Sequence, residues 1–304
     1  MTGYVAAGGW DTLTHPLSYA FFQKGLLVAT LAGALLAFVG VYVTLRGMSY
    51  IGHGLSHAIF GGFAASQLVT SFYYVGAGIW GLACALAIGA VTRRHRIGAD
   101  AAIGVITTAS FALGVAVMST LPRKAGAPSF EQALFGSILG ISATQIWALI
   151  AVSVLTALVV GLRYRAMLFT TFDPEVADAS GVRVARTDGL LMLILSLSIL
   201  ATMTIIGVTL VAAMLVIPPV IARMITDSFS RMLVLSTVIG AACGFVGMYA
   251  SYEADVPSGT MIVLTGAALF CLTLAFTGLR GLRRTAGLDE HVVDAPVAVS
   301  RTAR

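Results

Sequence analysis

Seven stretches of this 304-residue chain contain no Asp, Glu, Lys or Arg: 25–45, 47–92, 101–122, 132–162, 189–222, 232–252 and 256–279. A water-soluble domain does not sustain uncharged runs of this length, because about a quarter of its residues are charged. Here 10% are charged, 58% are hydrophobic, and mean hydropathy is +0.95. A bilayer is the solvent that tolerates such a composition, which excludes a cytosolic enzyme, a secreted disulfide scaffold and a disordered chain. A helix rising about 1.5 Å per residue crosses roughly 30 Å of hydrocarbon in about 20 residues. The runs of 21, 22, 21 and 24 residues therefore read as one helix each. The 46-residue run must double back, with a turn near Phe72–Gly78. The run 189–222 would reach about 51 Å as a single helix, so it is divided near Gly207, with Pro218 and Pro219 close to the end of the second piece. The run 132–162 holds a short helix, Gln132–Leu139, and a full span from about Ser142. The fold class is all-α and polytopic, with about nine transmembrane helices; eight and ten are the alternatives.

Arginine supplies the orientation. With the C-terminus in the cytoplasm, the cytoplasmic segments are 46–52, 93–100, 163–188, 223–231 and 280–304, and they carry fifteen of the eighteen basic residues. Only Lys24, Arg123 and Lys124 fall outside. This positive-inside bias places the N-terminus and the acidic Glu253–Asp255 loop outside a plasma membrane. The net charge of +5 is thus topology, and no nucleic-acid partner is expected. Residues 1–18 lack the basic start and apolar core of a cleavable signal peptide. The expected organisation is a short extracytoplasmic segment, 1–20, a membrane domain, 21–280, and a flexible cytoplasmic tail, 281–304. Cys84, Cys243 and Cys271 sit in apolar runs and read as small buried hydrophobes. Asp11, His15 and His291 read as solvated, and His95 as part of a cytoplasmic charge cluster.

No GxxxxGK[ST] loop, HExxH motif or paired CxxC occurs. A formal GxGxxG at Gly76, Gly78 and Gly81 lies inside an apolar span, where glycines allow close helix approach; the GxxxG pairs Gly136/Gly140 and Gly240/Gly244 read the same way. The strongest polar signal is Gly52-His53-Gly54-Leu55-Ser56-His57. Spacing i, i+4 puts both imidazoles on one helix face. Ionisable groups within a membrane are costly, so the pair favours a metal or ion pathway over two neutral rings bonded to backbone carbonyls. Imidazole suits Zn, Cu, Fe and Ni, and carboxylate suits Mn. A second signal is Thr171-Phe172-Asp173-Pro174-Glu175-Val176-Ala177-Asp178-Ala179-Ser180-Gly181. Asp173 suits an N-cap, Pro174 the first helical position, Glu175 the positive end of the dipole, and Gly181 a left-handed stop. The result is either a rigid lever between two spans or an ordinary surface helix. A third is the loop Ser251-Tyr252-Glu253-Ala254-Asp255-Val256-Pro257-Ser258-Gly259, either a cation-attracting outer mouth or a solvated turn.

In this order, the segments resemble the permease subunit of the manganese/zinc/iron-type ABC importers, from about Phe21 to Leu279. The resemblance is carried by Arg46–Ala58, Ala101–Val105, Leu134–Gly140, Phe172–Gly181, Val208–Ala222 with Ile217-Pro218-Pro219, and Ser251–Gly259. It implies a type-II-ABC-importer-like permease working as a homodimer. Its partners would be two copies of a separate ATP-binding subunit inside and a metal-binding solute-binding protein outside. Phe172, Asp173, Pro174, Glu175, Ala177 and Gly181 would then dock on the ATPase. Ser251, Tyr252, Asp255, Pro257, Ser258 and Gly259 would form an outer gate region. His57 falls on the family's metal-pathway histidine, and His53 falls where many members have aspartate. The divalent metal would be cargo, with no permanently bound cofactor and no catalytic residue. A metal site halfway across the membrane would require the His-bearing helix to start buried, after a re-entrant 46–52 segment.

Other readings predict other features. A proton-coupled secondary metal transporter needs no ATPase. An ABC permease for a siderophore- or cobalamin-type chelate needs no histidine pair. An intramembrane metalloprotease would require the missing HExxH base.

Overall fold

The computed structural model describes residues 15–69, 73–94, 98–120 and 141–293. The described chain is helical: α1 (Ala20–Leu45), α2 (Ser49–Val69), α3 (Tyr73–Arg94), α4 (Ala99–Thr120), α5 (Ala143–Leu162), α6 (Tyr164–Phe172), α7 (Pro174–Ala179), α8 (Val184–Ile206), α9 (Val208–Ile225), α10 (Phe229–Ala254) and α11 (Ser258–Val293). Among the described residues, six helices are long and apolar enough to cross a membrane, with shorter apolar pieces at Val75–Val91 and Leu210–Ile225. The Gln132–Leu139 helix, Gly136/Gly140, Arg123, Lys124 and Asp11 lie outside the described residues.

Helix α1 is the central pillar. It is apolar all round, and its buried side chains run from Phe22 to Thr44. Helix α10 lies antiparallel against it. Tyr42 meets Phe229 at one end, Ser236 Oγ donates to the Ala37 carbonyl (2.8 Å) in the middle, and Phe22 meets Tyr249 and Tyr252 at the other end. The approach depends on the anticipated glycines. A methyl group on Gly240 would meet the Gly33 carbonyl, and one on Gly244 the Ala29 carbonyl. Where apolar lipid gives no hydrophobic gain for joining helices, such backbone proximity supplies the packing. Gly76 and Gly81 likewise face Ser66 and Ile59 of α2, so the GxGxxG is a packing seam.

Several breaks follow from local chemistry. Helix α5 opens with a full capping box: Ser142 Oγ accepts from Gln145 N (3.3 Å) and Gln145 Oε1 accepts from Ser142 N (2.9 Å). The division between α8 and α9 falls on Gly207, whose φ of 83° is open to glycine but strained for other residues. Within the 47–92 run α2 ends at Val69 and α3 begins at Tyr73; the segment from Tyr73 to Gly78, assigned above to the turn, is helical, with Gly76 packed on Ser66 of α2 and Gly78 facing Leu200 of α8. The last helix continues to Val293, so residue 280 is not an element boundary. Cys84 and Cys243 are buried, but Cys271 is exposed on α11, where an apolar sequence context marks a lipid-facing surface as readily as a core.

The bundle has two distinct ends. Arg46, Arg163, Arg165, Arg183, Arg186, Arg223 and Arg231 gather with α6 and α7 at the end where α1 finishes and α10 begins. The turn between α10 and α11 is at the opposite end, beside Phe22.

Candidate functional site: the histidine pair and its arginine-rich-end neighbours

Helix α2 begins almost directly after α1. Arg46 caps α1, Gly47 (φ 68°) takes the left-handed position, and two bonds close the turn: Gly47 N to Thr44 O (3.1 Å) and Met48 N to Val43 O (3.0 Å). These are the paired bonds of a Schellman stop. Ile51 N then bonds Met48 O at 2.8 Å, already within the first turn of α2. The re-entrant 46–52 segment is therefore replaced by a three-residue link, 46–48. Even so, one face of the first turn of α2 is buried, with Ile51 enclosed and Gly52 against Leu215 of α9, while Tyr50 is 52% exposed. His53 and His57 stand on its second and third turns, about 6 and 12 Å along the axis from Ser49.

The two imidazoles meet edge to face, with ring centroids 4.5 Å apart. Both are half-buried. Tyr50 flanks His53 (5.7 Å), and Phe111 of α4 packs on His57 (4.7 Å). Helices α2 and α4 run parallel and in close contact. Thr107 faces Gly54, and Ser110 Oγ donates to the Ala58 carbonyl (3.0 Å) while accepting from Trp80 Nε1 of α3 (2.7 Å). The backbone beside His57 is thus pinned by three helices, and its ring is held by an aromatic neighbour.

His57 Nδ1 is buried without a hydrogen-bond partner among the described residues. Bonding of this ring to a backbone carbonyl through Nδ1, the structural alternative from sequence, does not occur. The hydroxyls of Tyr42, Thr44, Ser196 and Ser198 share that state, but a hydroxyl rotates to find a partner, whereas a ring nitrogen points where the ring points. An unpaired imidazole nitrogen beside a second imidazole is a donor set for a borderline-soft divalent cation. Among the described residues, no group of three or more His, Cys, Asp or Glu is assembled.

At the arginine-rich end, the segment after α6 folds as its residues dictate. Asp173 Oδ1 accepts from Val176 N (2.9 Å), Pro174 starts α7, and Gly181 (φ 82°) closes it, with Gly181 N bonding Asp178 O (2.9 Å) and Val182 N bonding Ala177 O (3.0 Å). Ala177 is buried, whereas Phe172, Asp173, Pro174, Glu175 and Val176 are exposed. Phe172 is 60% exposed, with its ring edge-to-face against Phe229 of α10 at 5.9 Å.

Sequence reasoning missed what holds this segment. Arg46 reaches across from the α1–α2 link: Nη1 donates to Asp188 Oδ1 of α8 (2.6 Å), Nη2 to Thr170 Oγ1 (3.0 Å) and Nε to Thr171 Oγ1 (3.2 Å). Its side chain is only 10% exposed. The sequence signal was a single basic residue directly after an uncharged run, which the topology count absorbed.

The outer-loop residues do not join the histidines. Ser251, Tyr252 and Glu253 are the last turn of α10 rather than loop, Asp255 (φ 53°) ends the helix, and Ser251 Oγ donates to the Val256 carbonyl (2.6 Å). Pro257 precedes α11, which opens with Ser258 and Gly259. Tyr252 packs on Phe22, at the end of the bundle remote from Arg46.

Residues 18–277 match the ABC 3 transport family. The chain is 37% identical over 266 residues to a manganese transport system membrane protein, MntC, of Halalkalibacterium halodurans, covering 88% of this chain and 90% of that protein. It is 30% identical over 271 residues to a probable iron transport system membrane protein of Haemophilus influenzae, covering 89% and 99%. Its fold is similar to a chain of PsaBC from Streptococcus pneumoniae solved in complex with Fab, with a TM-score of 0.78 and 29% identity, covering 87% of this chain and 95% of that one. It also shares the fold of an inward-facing metal-chelate type ABC transporter, with a TM-score of 0.70 and 17% identity over 90% and 92%. With residues 18–277 matched by the family as a whole, this chain belongs to the ABC 3 transport family.

Proposed function

We propose that this chain is the membrane permease subunit of an ATP-driven importer for a divalent transition metal, with His57 and His53 lining the ion's path. The observation that carries the reading is the buried, unpartnered His57 Nδ1, 4.5 Å ring to ring from His53. The chain is a multi-pass transporter subunit, not an enzyme; its chemistry is binding and gating. Relatives named for manganese and iron transport support a transition metal as cargo. ABC importers work with an ATPase and a solute-binding protein. Two copies of the ATPase and a permease homodimer are the arrangement that suits this chain, because two protomers facing each other would supply four imidazoles where one supplies two. Nine spans with the N-terminus outside and the C-terminus in the cytoplasm are supported by the arginines gathered at one end. There, Phe172 to Gly181 would take up the ATPase's motion, and Ser251 to Gly259 would lie at the outer mouth. Replacing a carboxylate with His53 tilts the pathway away from manganese and toward metals that prefer nitrogen.

The test is reconstitution of the permease with its ATPase and binding protein in vesicles, with manganese(II) and zinc(II) uptake measured with and without ATP. Uptake that requires ATP and the ATPase is expected. Brisk uptake by the permease alone would overturn the proposal.

A further inference from the structure

The Arg46 cluster ties together three parts of the molecule that the proposed mechanism must move together. Its backbone is locked into the Schellman turn that ends α1, and only Gly47 and Met48 separate it from α2. Seven residues further along is His53. Its guanidinium is bonded to Thr170 and Thr171, which directly precede Phe172 and the Asp173 cap of α7, and to Asp188 on the first turns of α8. The two threonine hydroxyls are oriented before they receive it. Thr170 Oγ1 donates to Ala166 O (3.0 Å) and Thr171 Oγ1 to Met167 O (2.6 Å), so each presents its lone pairs to Arg46. All three guanidinium nitrogens are thereby engaged in directions set by other elements. The ion pair borders a cavity of about 140 Å³ lined in part by Met48, Ile51, Ile103 and Met192 and by Ile88 and Gly89 of α3, so the cluster is not packed solid on that side.

We infer that Arg46 is the positioning residue through which displacement of the 172–181 segment reaches the histidine-bearing helix α2. The inference rests on the reading of this chain as an ATP-driven metal permease. A planar fork with fixed donor directions transmits both push and rotation, whereas a lysine, a single charge on a flexible stem, satisfies Asp188 but cannot hold both threonines in the same geometry. Arg46→Lys therefore separates transmission from charge. Phe172 and the capped α7 would receive the ATPase, the Arg46 fork would carry the movement across, and the rigid 46–48 link would convert it into a shift of His53 and His57.

The experiment uses the complete complex of permease, ATPase and binding protein in vesicles, recording manganese(II) uptake and ATP hydrolysis in the same sample. For Arg46→Lys, hydrolysis within twofold of the parent and uptake reduced at least tenfold is the expected result, a tenfold drop in ions moved per ATP. The double variant Thr170→Val/Thr171→Val, which keeps the Arg46–Asp188 pair, should lower the same ratio by a smaller factor. An unchanged ratio for Arg46→Lys would overturn the inference. So would a parallel loss of uptake and hydrolysis with a lowered thermal midpoint of the complex, which would make Arg46 a fold-stabilising residue only. A parent complex that moves metal without ATP would instead overturn the underlying transporter reading, so the two failures are distinguishable.

Discussion

Two polar clusters lie seven residues apart on the α1–α2 hairpin and are built to opposite rules. Around Arg46 every guanidinium nitrogen has an acceptor, and the accepting hydroxyls are themselves anchored to their own helix. Around His57 the ring is confined by His53 and Phe111, yet Nδ1 has no partner among the described residues. Leaving a buried polar atom unpaired costs about 1–3 kcal/mol, and a hydrogen bond to a charged group contributes about 1.5–3 kcal/mol. The saturated cluster therefore stabilises the fold and behaves as a joint. The unsaturated one leaves a ring nitrogen free to take the transient ligand that the proposed function calls for, which a fully bonded imidazole would resist.

The contrast is broken or sharpened by substitutions that act on one cluster only. The largest effect is expected from His57→Ala: metal uptake in cells falls at least tenfold at unchanged membrane levels, while the thermal midpoint of the purified protein scarcely moves. Retained uptake would remove that histidine from the pathway. Asp188→Ala should show the reverse emphasis, lowering stability by about 2 kcal/mol because a mostly buried guanidinium loses its counter-ion; a thermal or denaturant unfolding series in detergent checks it. His53→Asp should shift preference rather than abolish transport, raising the manganese-to-zinc uptake ratio severalfold in a competition assay. The smallest expected change is that of Asp173→Ala, which removes one N-cap and loosens α7 by about 1 kcal/mol. Faster amide exchange at Val176, with exchange at Ala58 unaffected, is its signature.

Local chemistry was legible wherever a short segment decides its own structure. The helix start near Ser142, the Asp173-Pro174 start, the Gly181 stop and the Gly207 division all depend on neighbours within about five residues, and each stands where the residue types require; the capping box that fixes the first of them came only with the structure. Legibility ended where two periodic signals competed. Tyr73–Gly78 carries turn-rich glycines but is helical, its Gly76 and Gly78 serving as close-approach points for α2 and α8. Ser251–Glu253 carries loop-like polarity but completes α10, whose real stop is the left-handed Asp255. The histidine pair was visible as an i, i+4 repeat; Phe111, Thr107 and Ser110, which confine it, were not, because nothing in a lone sequence registers α4 against α2.

By itself the sequence determined that this chain lives in a bilayer, where the helices with strong local start and stop signals are bounded, which end carries the basic charge, and that two imidazoles share one face. Charge-free runs, caps and helical periodicity are properties of neighbouring residues, and they survive without any knowledge of the fold. Only the tertiary structure decided that Arg46 is a bonded joint rather than one more cytoplasmic charge, and that His57 keeps an unpaired nitrogen. Both depend on partners 54 to 142 residues away in the chain, such as Phe111 and Asp188, and only helix packing brings those within reach.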